Sequence, residues 1–117
     1  MSNTKIYGIK NCDTVRKAVK WLEANEIPFE FVDFKKTAPD QPLLKSWIAD
    51  VGLDKLFNKR STTWKKLPEQ ERSEADEAAM VAWMQEYPTL IKRPVLEYQG
   101  SVHLGFKDAD YQALISS

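Results

Sequence analysis

The sequence is poor in the residues that build disulfides and metal centres. Among 117 residues there is one cysteine, Cys12, and one histidine, His103. A single cysteine excludes a disulfide within the chain and a cysteine-rich zinc site. A single histidine excludes a histidine cluster around a metal. We therefore expect no metal and no bound cofactor.

Long apolar runs and an excess of one charge are missing as well. The 17 basic residues are balanced by 17 acidic residues, so the formal net charge is zero. Binding to nucleic acid or to an acidic membrane needs a sustained positive surface, and we expect neither partner. No segment is apolar over the roughly 20 residues of a membrane helix, and no apolar signal core follows the polar start, residues 1–4. We expect a cytoplasmic monomer, in whose compartment a free thiol stays reduced.

The apolar pattern predicts a strand, a helix and a second strand at the start of the chain. Lys5–Ile9 is typical of a short buried strand, and Phe29–Phe34 of an aromatic, β-branched one. Between them, one helical face repeats at i, i+3, i+4 and i+7 in Val15, Ala18, Val19 and Leu22. Asp13 or Thr14 is expected to cap this helix. The succession predicts a parallel βαβ unit.

The middle of the chain predicts helices instead of strands. Asp40 is expected to open a helix that Gly52 closes. Ser73 and Asp76 resemble a capping pair for a helix that runs to about Tyr87. These segments predict a helical insertion over roughly residues 38–89.

After Pro94 the pattern predicts a hairpin and a final helix. Val95–Tyr98 and Ser101–Leu104 flank the pair Gln99-Gly100, a good two-residue turn. Asp108 is expected to cap a short helix. The fold class is therefore α/β, in the thioredoxin-like order βαβ…ββα with an inserted helical subdomain, and the chain is expected to form one domain over residues 1–117.

The informative residue is the cysteine at the start of the first helix. Backbone N–H groups at a helix N-terminus favour the thiolate, which is the nucleophilic form. A free cysteine is also commonly a small buried hydrophobe. The polar neighbours Lys10, Asn11, Asp13 and Thr14 favour a turn that faces water, and so a reactive thiol. Because position 15 is Val, Cys12 has no Cys-x-x-Cys partner, and glutathione is the expected external resolving thiol.

Two further segments combine arginine with a turn-like context. Arg60 lies in the basic, hydroxylated stretch 58–66, and Arg93 precedes Pro94. An arginine fork can neutralise a thiolate or hold an oxyanion through two hydrogen bonds. From composition alone, solvated surface charge is the favoured interpretation of both arginines. His103 is similarly interpreted as a partly exposed strand residue.

Four motifs together resemble the arsenate reductase (ArsC)/Spx family, and within it small bacterial proteins of the YffB type. They are YGIKNCDT at 7–14, RSTTWKKL at 60–67, IKRP at 91–94 and, more weakly, LGF at 104–106. The resemblance implies a thioredoxin-like fold with an inserted helical subdomain. It implies that Cys12 is the nucleophile of a glutathione-coupled redox cycle, that Arg60 and Arg93 bind the anion around the cysteine, and that Pro94 is a cis-proline.

The sequence departs from that family in two places. The glutaredoxin-linked arsenate reductases carry a third arginine near the end of the hairpin, where this chain has Lys107. Lysine offers the charge without the bidentate geometry. Spx-type regulators often carry Cys-x-x-Cys, which Val15 interrupts.

We therefore expect a monothiol, glutathione-dependent thiol reductase. Cys12, Arg60 and Arg93 are its predicted catalytic residues, and Lys10, Asn11, Thr14 and Pro94 are predicted to contact glutathione. Glutathione is the expected co-substrate, with glutaredoxin or another protein as a further expected partner. The alternatives are an Spx-like adaptor that binds a protein without turnover, and a true glutaredoxin-coupled arsenate reductase.

Overall fold

A computed structural model describes residues 4–116. They form two compact units, one made of the segments up to Asp33 and from Arg93, the other of Phe34–Lys92. The insertion predicted at 38–89 lies within the second unit, and treating the chain as one domain stays a prediction. The polar start used to expect no signal segment includes residues 1–3, which lie outside the described residues. None of the helices in residues 4–116 has the length and apolar content to cross a bilayer.

The described range contains four strands and seven α-helices. The strands are β1 (Lys5–Gly8), β2 (Glu30–Asp33), β3 (Val95–Tyr98) and β4 (Ser101–Leu104). The helices are α1 (Asp13–Ala24), α2 (Gln41–Val51), α3 (Leu53–Leu56), α4 (Thr62–Lys66), α5 (Glu69–Ser73), α6 (Glu77–Glu86) and α7 (Asp108–Ser116). A 3₁₀ turn occupies Pro88–Leu90.

The first unit is built on a four-stranded sheet in the order β2-β1-β3-β4. β1 is parallel to β2 and antiparallel to β3, and β3 pairs antiparallel with β4. The connecting residues Gln99 and Gly100 both have positive φ, 49° and 83°, as a two-residue hairpin turn requires. The predicted βαβ unit and hairpin are confirmed.

One face of this sheet carries the core of the first unit. Ile6 and Leu96 from the strands pack with Ala18, Leu22 and Tyr111 from α1 and α7. The Tyr111 ring meets the rings of Trp21 and Phe106 edge-on, with centroids 5.4 and 4.8 Å apart. Such edge-to-face pairs add about 0.5–1.5 kcal/mol to the burial of the rings. α1 and α7 are thereby held on the same side of the sheet.

Burial of Tyr111 makes folding stability depend on alkaline pH. Burial raises the pKa of Tyr111 above its ordinary value of 10.0. As the pH rises, the unfolded state therefore loses this proton before the folded state does. The free energy of unfolding should be unaffected below pH 10 and should fall above it. Tyr111 contributes at most about 1.4 kcal/mol per pH unit to that fall. Urea unfolding of wild type and Tyr111→Phe between pH 8 and 11 tests this. Each free energy of unfolding is expressed relative to its value at pH 8. If it falls equally steeply with pH in both proteins, the prediction is wrong.

The second unit is helical and has its own buried side chains. The Asp40 carboxylate accepts a hydrogen bond from the Leu43 N–H at 2.9 Å and so caps α2. Gly52, with φ of 91°, ends that helix, as predicted. α2 packs against α6, and Trp47 and Met84 are fully buried.

A cluster of aromatic rings completes this unit. The Trp64 ring lies edge-on to Phe57 and Trp83, with centroids 5.1 and 6.1 Å apart. The Lys59 ammonium and the Arg72 guanidinium lie 5.7 and 6.0 Å from its centroid, at cation–π range. Trp64 therefore packs among the aromatic rings of this unit.

The predicted starts of α6 and α7 differ from the structure. Ser73 belongs to α5, and Asp76 itself caps α6 by accepting from the Ala79 N–H at 2.8 Å. Asp108 is the first residue of α7, because the Lys107 carbonyl already accepts from the N–H of Tyr111 at 3.1 Å. The N-cap therefore lies three residues later than Ser73 for α6 and one residue before Asp108 for α7.

The first two strands are also shorter than predicted. Their parallel pairing runs from Lys5 opposite Glu30 to Gly8 opposite Asp33. Ile9, Phe29 and Phe34 lie outside this ladder. Apolar character continues past the ends of the hydrogen-bonded segment, and therefore the hydrophobic runs overstate the strand lengths.

Candidate active site at Cys12

The N-cap of α1 is Cys12, one residue before Asp13 and two before Thr14, the predicted caps. The Cys12 N–H donates to the Ile9 carbonyl at 3.1 Å, which closes the turn after β1. The Cys12 carbonyl accepts from the Arg16 N–H at 3.0 Å, the first bond of α1. Cys12 is therefore the N-cap, with extended φ and ψ of −94° and 123°.

The cysteine side chain is available for chemistry at this position. It makes no capping hydrogen bond and is partly exposed. The free N–H groups at the start of this 12-residue helix present partial positive charge at the same end. The interpretation of Cys12 as a fully buried hydrophobe is therefore not what the structure shows.

A close contact between β1 and α1 holds this turn in place. A Cβ atom added to Gly8 would lie 2.7 Å from Cγ2 of Val15, closer than non-bonded carbon atoms approach. Val15 is buried, and its β-branched side chain has little rotamer freedom in a helix. Gly8 is thus required for α1 to approach the end of β1.

We expect Gly8→Ala to lower the free energy of unfolding by about 1–3 kcal/mol through overpacking. Val15→Ala removes the atoms that the new methyl group meets. The double variant should therefore be more stable than the sum of the two single changes predicts. Urea unfolding of the four proteins measures this, and strict additivity would show that the two residues do not collide.

Arg93 and Pro94 lie at the same end of the sheet's two inner strands as the Cys12 turn. β1 and β3 are antiparallel with Tyr7 opposite Val95, so the end of β1 lies beside the start of β3. The Arg93–Pro94 peptide bond is cis, as the resemblance implies. The buried Pro94 accepts from the Gly105 N–H at 2.9 Å through its carbonyl.

Arg93 contains a buried polar atom that no described residue satisfies. Its Nε is shielded from solvent and has no hydrogen-bond acceptor within residues 4–116. A buried donor without an acceptor costs about 1–3 kcal/mol, more when charged. Any hydrogen-bond acceptor would satisfy this N–H, and an anion would form the stronger, charge-assisted bond.

The remaining predicted residues fall into two groups. Lys10 and Asn11 are exposed in the turn before α1, and Thr14 is exposed in its first turn. Arg60 lies in the second unit, exposed, with its backbone N–H donating to Asn58 Oδ1 at 3.1 Å. The antiparallel pairing of β1 and β3 places the Cys12 turn and the Arg93–Pro94 segment at the same end of these strands. The role of Arg60 at this site stays a prediction.

Arg16 is a residue that the sequence reasoning missed. Its Nη2 atom lies 2.7 Å from Oδ1 of Asp13, the residue after Cys12. Both side chains are exposed. The i, i+3 spacing of opposite charges at the start of a helix was the available signal.

Residues 4–116 contain no group of three His, Cys, Asp or Glu side chains arranged to hold a metal ion. The polar side chains next to Cys12 are the ammonium of Lys10, the amide of Asn11, the hydroxyl of Thr14 and the carboxylate of Asp13, which pairs with Arg16. The donors among them suit an anionic ligand.

Comparison with known proteins identifies the family. The model of the ArsC family matches residues 7–114. The chain belongs to the ArsC family. An arsenate reductase (ArsC) related protein from Brucella melitensis is 44% identical, with a TM-score of 0.77 over 100% of this chain and 97% of that one. A protein named YffB is 39% identical, with a TM-score of 0.89 over 95% and 97% of the two chains.

The relatives of this chain include a regulator as well as reductase-related proteins. The global transcriptional regulator Spx of Enterococcus faecalis is 25% identical over 116 residues, covering 94% of this chain and 84% of its own length. The fold is thioredoxin-like, as its sheet and the likeness to the YffB structure show. The predicted α/β class is confirmed.

Proposed function

We propose that this protein is a monothiol, glutathione-dependent thiol reductase with Cys12 as its nucleophile. The observation that carries the proposal is the partly exposed Cys12, whose side chain makes no capping hydrogen bond at the N-cap of the 12-residue helix α1. At this position the sulfur can be reached by a disulfide, and the thiolate is the form proposed to attack it. A cytoplasmic location, where glutathione is kept reduced, belongs to the same proposal.

The reaction needs no second cysteine in the chain. The Cys12 thiolate attacks the glutathione sulfur of a mixed disulfide RSSG, forms Cys12–SSG and releases RS⁻, which takes up a proton. A glutathione thiolate then attacks the adduct, releases the Cys12 thiolate and leaves as glutathione disulfide. Reduction of RSSG takes two electrons. The two glutathione sulfurs that join in glutathione disulfide supply them.

Arginine is proposed to recognise the charged ends of glutathione. The buried Nε of Arg93 lacks an acceptor among the described residues, and a glutathione carboxylate would supply one. Arg60 is proposed to contribute a second cation to the bound anion. Lys10, Asn11 and Thr14 offer further donors from the exposed turn beside Cys12.

A second candidate function is a protein-binding regulator without turnover. Spx relatives are the first observation in its favour. The second is the basic segment 59–66, whose cations form no ion pair with a described carboxylate; they are Lys59, Arg60, Lys65 and Lys66. Such a surface suits an acidic partner.

A coupled turnover assay separates these functions. Wild-type protein should reduce the mixed disulfide of glutathione and 2-mercaptoethanol, with glutathione and glutathione reductase reporting through NADPH oxidation. Cys12→Ser should lose this activity. With arsenate and glutaredoxin the rate should stay below about 1 s⁻¹, because Lys107 cannot replace an arginine fork. If wild-type protein does not reduce the mixed disulfide, the protein-binding regulator is the better explanation. If it reduces arsenate rapidly, the protein is instead an arsenate reductase.

A further inference from the structure

An ion pair between Asp13 and Arg16 lies beside the nucleophile Cys12. The negative charge is one residue away from Cys12 along the chain, and the positive charge is one helical turn away. Asp13 follows Cys12 directly, and its carboxylate is 2.7 Å from the guanidinium of Arg16. Arg16 also donates its backbone N–H to the Cys12 carbonyl at 3.0 Å. Arg16 is therefore fixed to the Cys12 turn by its backbone and to Asp13 by its side chain.

An unpaired carboxylate at position 13 would oppose the proposed chemistry. Glutathione disulfide carries more carboxylate than ammonium groups and is a net anion at neutral pH. A negative charge next to Cys12 repels such a substrate, and exposed charges at contact range change a rate by about fivefold at most. Pairing with Arg16 cancels this repulsion.

We propose that Arg16 is a positioning residue that neutralises Asp13 and so keeps Cys12 accessible to anionic substrates. The proposal rests on the proposed function, because it concerns attack by Cys12, and it deepens it by assigning the substrate class. It does not depend on the contribution of the pair to folding. Exposed ion pairs add little to stability, and therefore Arg16→Ala should unfold at nearly the wild-type urea concentration.

The test compares two alkylating agents that differ in charge. Iodoacetate is an anion and iodoacetamide is neutral. In both reactions the Cys12 sulfur displaces iodide from carbon, and only the thiolate reacts. The ratio of the iodoacetate rate to the iodoacetamide rate therefore cancels the thiolate fraction and reports the local field on an incoming anion.

In Arg16→Ala this ratio should fall two- to fivefold. Arg16→Lys keeps the charge and should hold the ratio near the wild-type value. In the double variant Asp13→Asn/Arg16→Ala, no charge of the pair remains, and the ratio should return to wild type. At 1 M NaCl the difference between wild type and Arg16→Ala should largely disappear, because the Debye length shrinks to about 3 Å.

Lys20→Ala is the matched control, since Lys20 is an exposed cation one turn further along α1. Its ratio should stay near wild type. An unchanged ratio in Arg16→Ala, or a fall that Asp13→Asn does not restore, would overturn the proposal. Because iodoacetate and iodoacetamide alkylate Cys12 directly, the result does not depend on glutathione. A protein that shows the ratio change but forms no glutathione adduct would keep the role of Arg16 and lose the proposed function.

Discussion

Wild-type protein treated with glutathione disulfide should gain one glutathione, and Cys12→Ser should gain none. The sulfur at the N-cap of α1 is partly exposed and makes no capping hydrogen bond, so a disulfide can reach it. Attack releases one glutathione thiolate and leaves the other half bound to Cys12. Intact-protein mass spectrometry measures the adduct directly.

The adduct should persist until an external thiol is added. Position 15 is a buried Val on α1, where a Cys-x-x-Cys protein has its resolving thiol. Added reduced glutathione should therefore release the bound glutathione and restore the mass of the free protein. Cys12→Ser is the matched control, because serine keeps the size and a cap of the helix.

A neutral disulfide distinguishes a glutathione site from a merely exposed thiol. If wild type reacts readily with 2-hydroxyethyl disulfide but stays unmodified by glutathione disulfide, the thiol is accessible and is not built for glutathione. That result would favour the protein-binding regulator. A substantially faster reaction with glutathione disulfide would support recognition of its charged groups.

Much of the fold could be predicted because its signals are local. The pair Gln99-Gly100 supplies the positive φ angles of the hairpin turn, and Asp40 and Gly52 mark the ends of α2. Each of these residues determines the backbone conformation of only a few neighbouring residues. The short helices α3, α4 and α5 escaped prediction because four or five residues are too few for a helical period to emerge.

The site could be predicted only in part because its geometry depends on contacts between elements. The sequence indicated a thiol at a helix start, but Cys12 itself is the N-cap. The need for Gly8 depends on Val15, which lies on another element. The unsatisfied Nε of Arg93 depends on its surroundings in the folded chain, and composition alone favoured surface charge for this residue.

Arg93→Ala should weaken glutathione binding by about 1.5–3 kcal/mol, the range for hydrogen bonds to charged groups. This corresponds to roughly 10- to 150-fold in the dissociation constant. S-methylglutathione is the suitable ligand for calorimetric titration, because it keeps both carboxylates and has no thiol to react with Cys12. Arg60→Ala is expected to change binding in the same direction.

Stability and binding should respond differently to the loss of Arg93. Its Nε has no acceptor among residues 4–116, so Arg93→Ala removes an unsatisfied donor and should lower the free energy of unfolding only through lost packing. Arg93→Lys should recover part of the binding, since lysine has the charge and lacks the fork. The exposed neighbour Lys92 provides the control, and Lys92→Ala should bind like wild type. Equal binding by Arg93→Ala and Lys92→Ala would mean that Arg93 has no part in holding the ligand, and the carboxylate partner proposed for its buried N–H would be wrong.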